Sequence, residues 1–406
     1  MAPDLGNSAP SSLGFGDKVV ILFSGVLAAL ALIALNPVLP VIESTLAHTP
    51  FDSMLVKQLI GGVALAMVVG AAVGGLLTDW LGLRRMLTGT SLIYAISGTA
   101  GLYLGSLRAL LVSRLFLGLA AASIQIASLT LINTRLQGNE RAKWMGIHFS
   151  TAMFGAILLN PIAGALGSLG WRWPFALYAL GLVLVPAMML ERKPQTARPS
   201  PAAQEKLTGN ASRAGVLSWL PFRYLLLALM IGSVVFLPSV YVPFLLRRVS
   251  GSTPWVISLV LTADSVVGAG MAMVYGRARR SLTSTQVFVF CFASIALGSL
   301  IASRSPSFAG IVVGMGIYGL GVGWLLANLI TSLAAKVSQE RQGRAVGIVK
   351  AVHFSSAPVA IALIEPFARR YGPADALLVV SLSAFALLGL FAFRELTAKA
   401  RVPLPQ

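Results

Sequence analysis

The chain is short of the residues that carry chemistry in water. Its 406 residues include one cysteine, Cys291, and three histidines, which excludes a disulfide framework and leaves too few ligands for a thiolate or imidazole metal centre. Charged residues make up 11%, less than half of the roughly 25% usual in soluble domains, and that argues against a water-soluble enzyme. Acidic residues are the scarcest: 13 Asp and Glu stand against 31 Lys and Arg, a formal charge of +18. No G-x-x-x-x-G-K-(S/T) stretch occurs, so ATP is not expected as the direct energy source, and no cofactor is expected.

What is plentiful is apolar. Hydrophobic residues reach 56%, with 40 Gly and 21 Pro. A bilayer core about 30 Å thick needs roughly 20 apolar residues per helix. Twelve such stretches fit, at approximately 19–42, 58–78, 86–105, 109–133, 146–168, 174–190, 224–246, 255–275, 285–303, 308–335, 346–368 and 376–393. The residues before the first have no cationic leader or cleavage site, so an uncleaved first span is expected. With both termini on one side, 22 of the 31 cations fall on that side, 8 fall on the other and Arg114 lies within a span. The positive-inside rule then puts both termini in the cytoplasm, and the chain in a bacterial inner membrane. The charge is an orientation signal, and no nucleic-acid partner is expected.

The expected fold class is an all-α membrane protein with twelve transmembrane helices in two six-helix bundles. Residues 1–190 form the first bundle, 191–222 a polar cytoplasmic linker rich in Pro and Ala, and 223–406 the second. The sequon Asn210-Ala211-Ser212 falls in the linker, where on the cytoplasmic side it reads as chance. The two bundles repeat each other. His148-Phe149-Ser150-Thr151-Ala152 and His353-Phe354-Ser355-Ser356-Ala357 are offset by 205 positions, and Gly118-Leu119 and Gly319-Leu320 by 201. Glu140-Arg141 and Glu340-Arg341 are offset by 200, and Gly75 with Arg84-Arg85 and Gly270 with Arg279-Arg280 by 195. Four matches in one order indicate a parallel duplication about an axis along the membrane normal.

On these residues the chain resembles the major facilitator superfamily. Gly75 to Arg85, GLLTDWLGLRR, is similar to that family's loop signature G-x-x-x-D-(R/K)-x-G-x-(R/K)-(R/K), with Trp80 in place of a cation. Arg114 and Gly118 match R-x-x-x-G in the fourth span, and Gly170-Trp171-Arg172-Trp173-Pro174-Phe175 resembles the usual start of the sixth. The drug/proton-antiporter pattern in the fifth span keeps its frame around Pro161 but has Asn160 for a Gly. In the first span it keeps Asn36, Leu39 and Pro40 but has Ala31 for its Asp. The resemblance implies a secondary transporter with alternating access, and an exporter-like ancestry. It also implies a cytoplasmic gate at Gly75, Asp79, Gly82, Arg84 and Arg85, with Asp79 capping a neighbouring helix or pairing with Arg135. The first reading of function is proton-coupled export of a small amphiphilic or anionic molecule. The alternative is proton-driven import of an organic anion or metallophore. The partners expected are the substrate, protons and the lipid bilayer, and the unit expected is a monomer.

Ionisable side chains at bilayer depth are expensive, so each is a candidate site. Asp264, about 15 Å into the eighth span, is the first candidate for carrying a proton, with Glu365 in the eleventh as the second. Arg114 is a candidate for coupling and for an anion counter-ion, with a structural arginine bonding carbonyls as the competing account; Gln125 shares its helix face. His148 and His353, matched positions near the cytoplasmic ends of the fifth and eleventh spans, suit a titrating gate or a bond to a neighbouring carbonyl. Lys350 is expected to snorkel to the interface, and Glu43 to be an interfacial charge. Pro37, Pro40, Pro238 and Pro243 should bend the first and seventh spans around a cavity. Asn36, Phe236, Tyr241, Trp324 and Asn328 are candidate substrate contacts.

Overall fold

The computed structural model describes residues 13–190 and 222–400, so the expected linker and its sequon lie outside the described residues. Each of the twelve apolar stretches is helical. The spans are Phe15–Leu46, Pro50–Leu81, Leu83–Thr99, Leu107–Arg135, Gly138–Leu169, Trp173–Leu190, Phe222–Ser250, Pro254–Ser281, Ser284–Arg304, Phe308–Ala334, Gln339–Tyr371 and Pro373–Ala400. Ten are long and apolar enough to cross a bilayer by themselves. The third is 17 residues long. The sixth is tight 3₁₀ helix over Trp173–Val183 before it turns α-helical at Leu184, and the faster rise of a 3₁₀ helix lets a short segment reach further.

Connections within each half are short, so successive spans run antiparallel. Gly82 alone joins the second span to the third, at φ 79°, a left-handed conformation that glycine adopts without strain. One face of the bundle therefore collects the helix ends bearing Arg84, Arg85, Arg135, Arg277, Arg279 and Arg280, and is called here the cation-rich face. Helices start where capping residues permit. Thr49 and Asp52 form a capping box at the second span, and Thr283 and Gln286 form one at the ninth. The fifth and eleventh spans begin at Gly138 and Gln339, well before their apolar stretches, because a helix continues into the polar zone as long as its backbone stays bonded.

The first span is interrupted. Its α-helix ends at Ile33, a 3₁₀ turn covers Asn36–Val38, and α-helix resumes over Leu39–Leu46. Pro37 and Pro40 lack the backbone donors that an unbroken helix would use there. The seventh span keeps its helix through Pro238 and Pro243.

The duplicated glycines are crossing points, where close backbone approach holds helices together in lipid. A Cβ on Gly118 would lie 2.5 Å from the Val63 carbonyl in the second span; one on Gly319 would lie 2.8 Å from the Asp264 carbonyl in the eighth. The two crossings share one offset, so Asp264 occupies the position that buried Val63 holds in the first half. The carboxylate is thus no requirement of packing at this crossing.

Candidate functional site

An ionic cluster joins the halves at the face opposite the cation-rich one. Lys57, about two turns into the second span and 5% exposed, lies 2.8 Å from Glu43 at the end of the first and 2.9 Å from Glu365 in the eleventh. Glu365 is 1% exposed, and its other oxygen accepts the Tyr241 hydroxyl of the seventh span at 2.8 Å. The Lys57 ammonium also sits 4.5 Å from the centre of the Phe244 ring. Two carboxylates, one ammonium and one phenol from four spans thus satisfy one another in a buried setting, as buried charge requires. Glu43 is therefore an ion-paired charge, a quarter exposed, and Tyr241 is bonded to Glu365 beside a small cavity of about 140 Å³ that the cluster lines. The sequence signal for this cluster was one cation and two carboxylates at one depth on the first, second and eleventh spans, obscured because Lys57 falls just before the apolar stretch at 58–78.

Further polar bonds join the halves nearby. Gln58 donates to the Pro358 carbonyl at 2.9 Å, Asn160 donates to the Ser258 carbonyl at 3.4 Å, and the Trp255 amide donates to Ser168 at 3.2 Å. Asn36, at the break in the first span, is buried at the same level. Toward the middle, Phe236 forms a small apolar cluster with Ala64 and Ala357, backed by Leu32 and Phe354. Residues of the first, second, seventh and eleventh spans thus close the path above the centre.

Below that closure lie two charged side chains without a partner of opposite sign among the described residues. The Asp264 carboxyl is partly buried and lies against Gly319, with Tyr318 in electrostatic reach; Tyr318 spends its own hydroxyl on the Val234 and Val235 carbonyls. Lys350, in the eleventh span, does not snorkel away. Its ammonium stands 5.3 Å from the centre of the Phe149 ring in the opposite half, and it acts electrostatically on both His148 and His353. Phe149 is 47% exposed, so this pair borders open space between the halves. Gln125 is half-buried.

Other candidates belong to the scaffold. Arg114 is 0% exposed. It donates from Nη2 to the Ser97 and Gly98 carbonyls of the third span at 3.1 and 2.6 Å, and its guanidinium lies under 5 Å from the ring centres of Phe175 and Tyr178 in the sixth. It ties three spans of one half together and does not border the space between halves, which agrees with the account of an arginine bonding carbonyls. Trp324 packs on Tyr275 and Phe290 and donates to the Met271 carbonyl. Asn328, fully buried, bonds Ser284 and Tyr275. Both stitch the eighth, ninth and tenth spans and are not substrate contacts in this arrangement.

The matched histidines are helix clamps. His148 Nδ1 meets the Ile21 carbonyl at 3.3 Å and Ser24 at 3.2 Å in the first span; His353 packs against the seventh span, its ring 5.5 Å from that of Phe236 by ring centres. Beside them, a Cβ on Gly25 or Gly232 would collide with Thr151 or Ser356 and with the carbonyl of the clamp histidine. Buried at 1% and 4% exposure, these histidines hold helix pairs together and do not face a water path. At the cation-rich face, Arg135 pairs with Asp17, which is buried at the start of the first span. Gly75 has open space around it and Arg84 and Arg85 are exposed; the Asp79 side chain lies outside the described part.

Comparison with known proteins agrees with this architecture. A family model described as Major Facilitator Superfamily matches residues 21–362. The minor myo-inositol transporter IolF of Bacillus subtilis is 26% identical over 273 residues, which are 65% of this chain and 58% of that protein. A putative proline/betaine transporter of Staphylococcus aureus is 24% identical over 319 residues, 70% of this chain and 67% of that one. The chain spans only 20% to 58% of the length of the first curated relatives it matches. In three dimensions it is similar to the xylose transporter XylE from E. coli, with a TM-score of 0.71 at 12% identity, covering 96% of this chain and 98% of that one. That likeness speaks for the fold.

Proposed function

Because the chain belongs to the Major Facilitator Superfamily, and is thus a membrane transporter and not an enzyme, we propose that it takes up a small organic anion together with protons by alternating access. The observation that carries this reading is a cation at the contact between the halves, Lys350, together with a carboxylate deep in the second half, Asp264, neither with an opposite charge beside it among the described residues. Lys350 supplies a cation beside Phe149, and Asp264 supplies a carboxylate that can take up and release a proton. The anion's counter-ion is therefore Lys350, in place of Arg114. The substrate class is a sugar acid or short carboxylate, which shares the polyol frame of inositol and the carboxylate of proline and betaine, the neutral solutes for which relatives are named. Uptake displaces the export reading because the antiporter pattern has Ala31 where its first-span carboxylate would stand. Glu365 serves as the gate partner of Lys57.

Proteoliposomes test both roles. Lys350→Gln is expected to cut binding of anionic solutes by about tenfold or more while sparing neutral ones, the scale of one charge-assisted bond. Asp264→Asn is expected to leave binding measurable and abolish the response to an imposed pH gradient, because the amide keeps the shape but does not titrate. Equal loss for neutral and anionic compounds in the first variant, or wild-type gradient response in the second, would reject the corresponding role. Export from loaded vesicles coupled to proton entry would reinstate the efflux reading.

We further propose that the cation-rich face and both termini are cytoplasmic, in a bacterial inner membrane, on the strength of the cation asymmetry. A cysteine placed at Ser200 should react with an impermeant thiol reagent only after the membrane is opened. Cys291, fully buried, stays silent in that assay. Labelling from outside intact cells would reverse the orientation.

A further inference from the structure

A second cleft, remote from the space between the halves, lies within the second half at its cation-rich end. It has a volume of about 520 Å³ and runs between the seventh, ninth, tenth and twelfth spans. Four cations line it, Arg223, Arg279, Lys336 and Arg394, and no Asp or Glu is among its lining residues. None of the four has a carboxylate partner among the described residues. Elsewhere the chain does pair such charges, as at Arg135 with Asp17 and Lys57 with Glu365.

The rest of the wall is apolar and has a direction. Phe288 and Phe391 form a buried floor, their rings tilted by 34° with centres 4.7 Å apart. Leu226 and Leu390 on the lining are 48% and 52% exposed, so the cleft communicates with the surface that faces lipid. Polar groups on its wall are engaged with each other: the Tyr224 hydroxyl donates to the Ser332 carbonyl at 3.2 Å, and Ser284 bonds Ser332. A cleft with cations at the depth of the headgroups and an apolar floor open to the bilayer is complementary to one kind of molecule, an amphiphile with an anionic head.

We propose that this cleft binds an anionic phospholipid of the leaflet at the cation-rich face, its phosphate among Arg223, Lys336 and Arg394 and one acyl chain over Phe288 and Phe391. Arg279, which donates to the Leu282 carbonyl at 2.6 Å, holds the eighth-to-ninth connection beside the headgroup. The inference stands on this geometry and is independent of the proposed substrate.

Native mass spectrometry and thermal unfolding of the full chain in detergent test it, with phosphatidylglycerol, phosphatidylcholine and inorganic phosphate added in parallel. Phosphatidylglycerol should remain bound and raise the unfolding midpoint, and the other two should not. In Arg223→Gln/Lys336→Gln, retention of phosphatidylglycerol should fall about thirtyfold, at the usual contribution of a cation near anionic lipid. Arg394→Gln provides a second variant should the first fold poorly. Equal retention of phosphatidylcholine, or phosphatidylglycerol binding untouched in both variants, would overturn the proposal. A midpoint shift with phosphate alone would reduce it to a simple anion site and overturn the lipid assignment.

Discussion

Replacing Lys57 with Met is expected to open the face that this structure holds closed. The substitution leaves Glu365, 1% exposed, beside a methyl group where it had an ammonium 2.9 Å away. Removing one partner of a buried ion pair is destabilising by about 3–5 kcal/mol, and the protein has two ways to relieve it: unfold, or separate the halves and wet the carboxylate. The second is local, so the ratio of open to closed should rise by roughly two to three orders of magnitude. Spin labels at Phe51 and Tyr371, both more than half exposed at the ends of the second and eleventh spans, would record a longer distance. Tyr241→Phe, which removes one hydrogen bond to the same carboxylate, should shift it less. Glu365→Leu added to Lys57→Met should restore the short distance, because an apolar pair of similar volume leaves no buried charge. An unchanged distance distribution in Lys57→Met would mean that the other bonds between the halves hold the face closed.

Arg114→Met is expected to lower the thermal stability of the protein and leave substrate affinity unchanged. The arginine's Nη2 bonds to the Ser97 and Gly98 carbonyls would vanish together with the stack between Phe175 and Tyr178. Charge-assisted bonds contribute roughly 1.5–3 kcal/mol and buried cation–ring contacts up to about 2, so a loss of about 3 kcal/mol is expected. Arg114→Lys should fall between, because an ammonium keeps the charge without the planar fork. The readout is the pair of numbers, unfolding midpoint and substrate Kd. A weakened Kd at an unchanged midpoint would return Arg114 to the cavity.

These two residues also mark where reading the sequence succeeds and stops. Twelve spans were legible because the hydrocarbon thickness dictates a length, and a length survives any detail of packing. Their ends were less so: Gly138 and Gln339 begin helices about two turns before the apolar stretches, where nothing in hydropathy marks the boundary. The site was only half legible. Arg114 is a cavity candidate by sequence because it is costly to expose to lipid, yet that cost is relieved equally well inside one half as between halves, and Trp324 and Asn328 likewise bond within one half. Periodicity gives the phase of a helix and not the identity of its neighbour. Lys350 was misjudged for the converse reason: a long flexible stem reaches either the interface or the interior, and Phe149, 201 positions away, decides which. The duplication, by contrast, predicted real geometry, since Gly118 and Gly319 fall at equivalent crossings.

The clamps and the ionic cluster divide the mechanical labour along two spans. His148 and Gly25 pin the first span to the fifth, and His353 and Gly232 pin the seventh to the eleventh. Farther along the same two spans, Glu43 and Tyr241 are tied into the cluster. Between pin and tie, the first span is severed as a helix at Ala34 to Val38, and the seventh carries Pro238. Each is thus a lever with a compliant joint: one end stays with its half while the other follows the cluster. Tilting Leu39–Leu46 about that joint moves Glu43 without disturbing the clamp at Gly25. The work of switching is concentrated in a few residues of backbone, and the remaining spans can travel as stiff bodies.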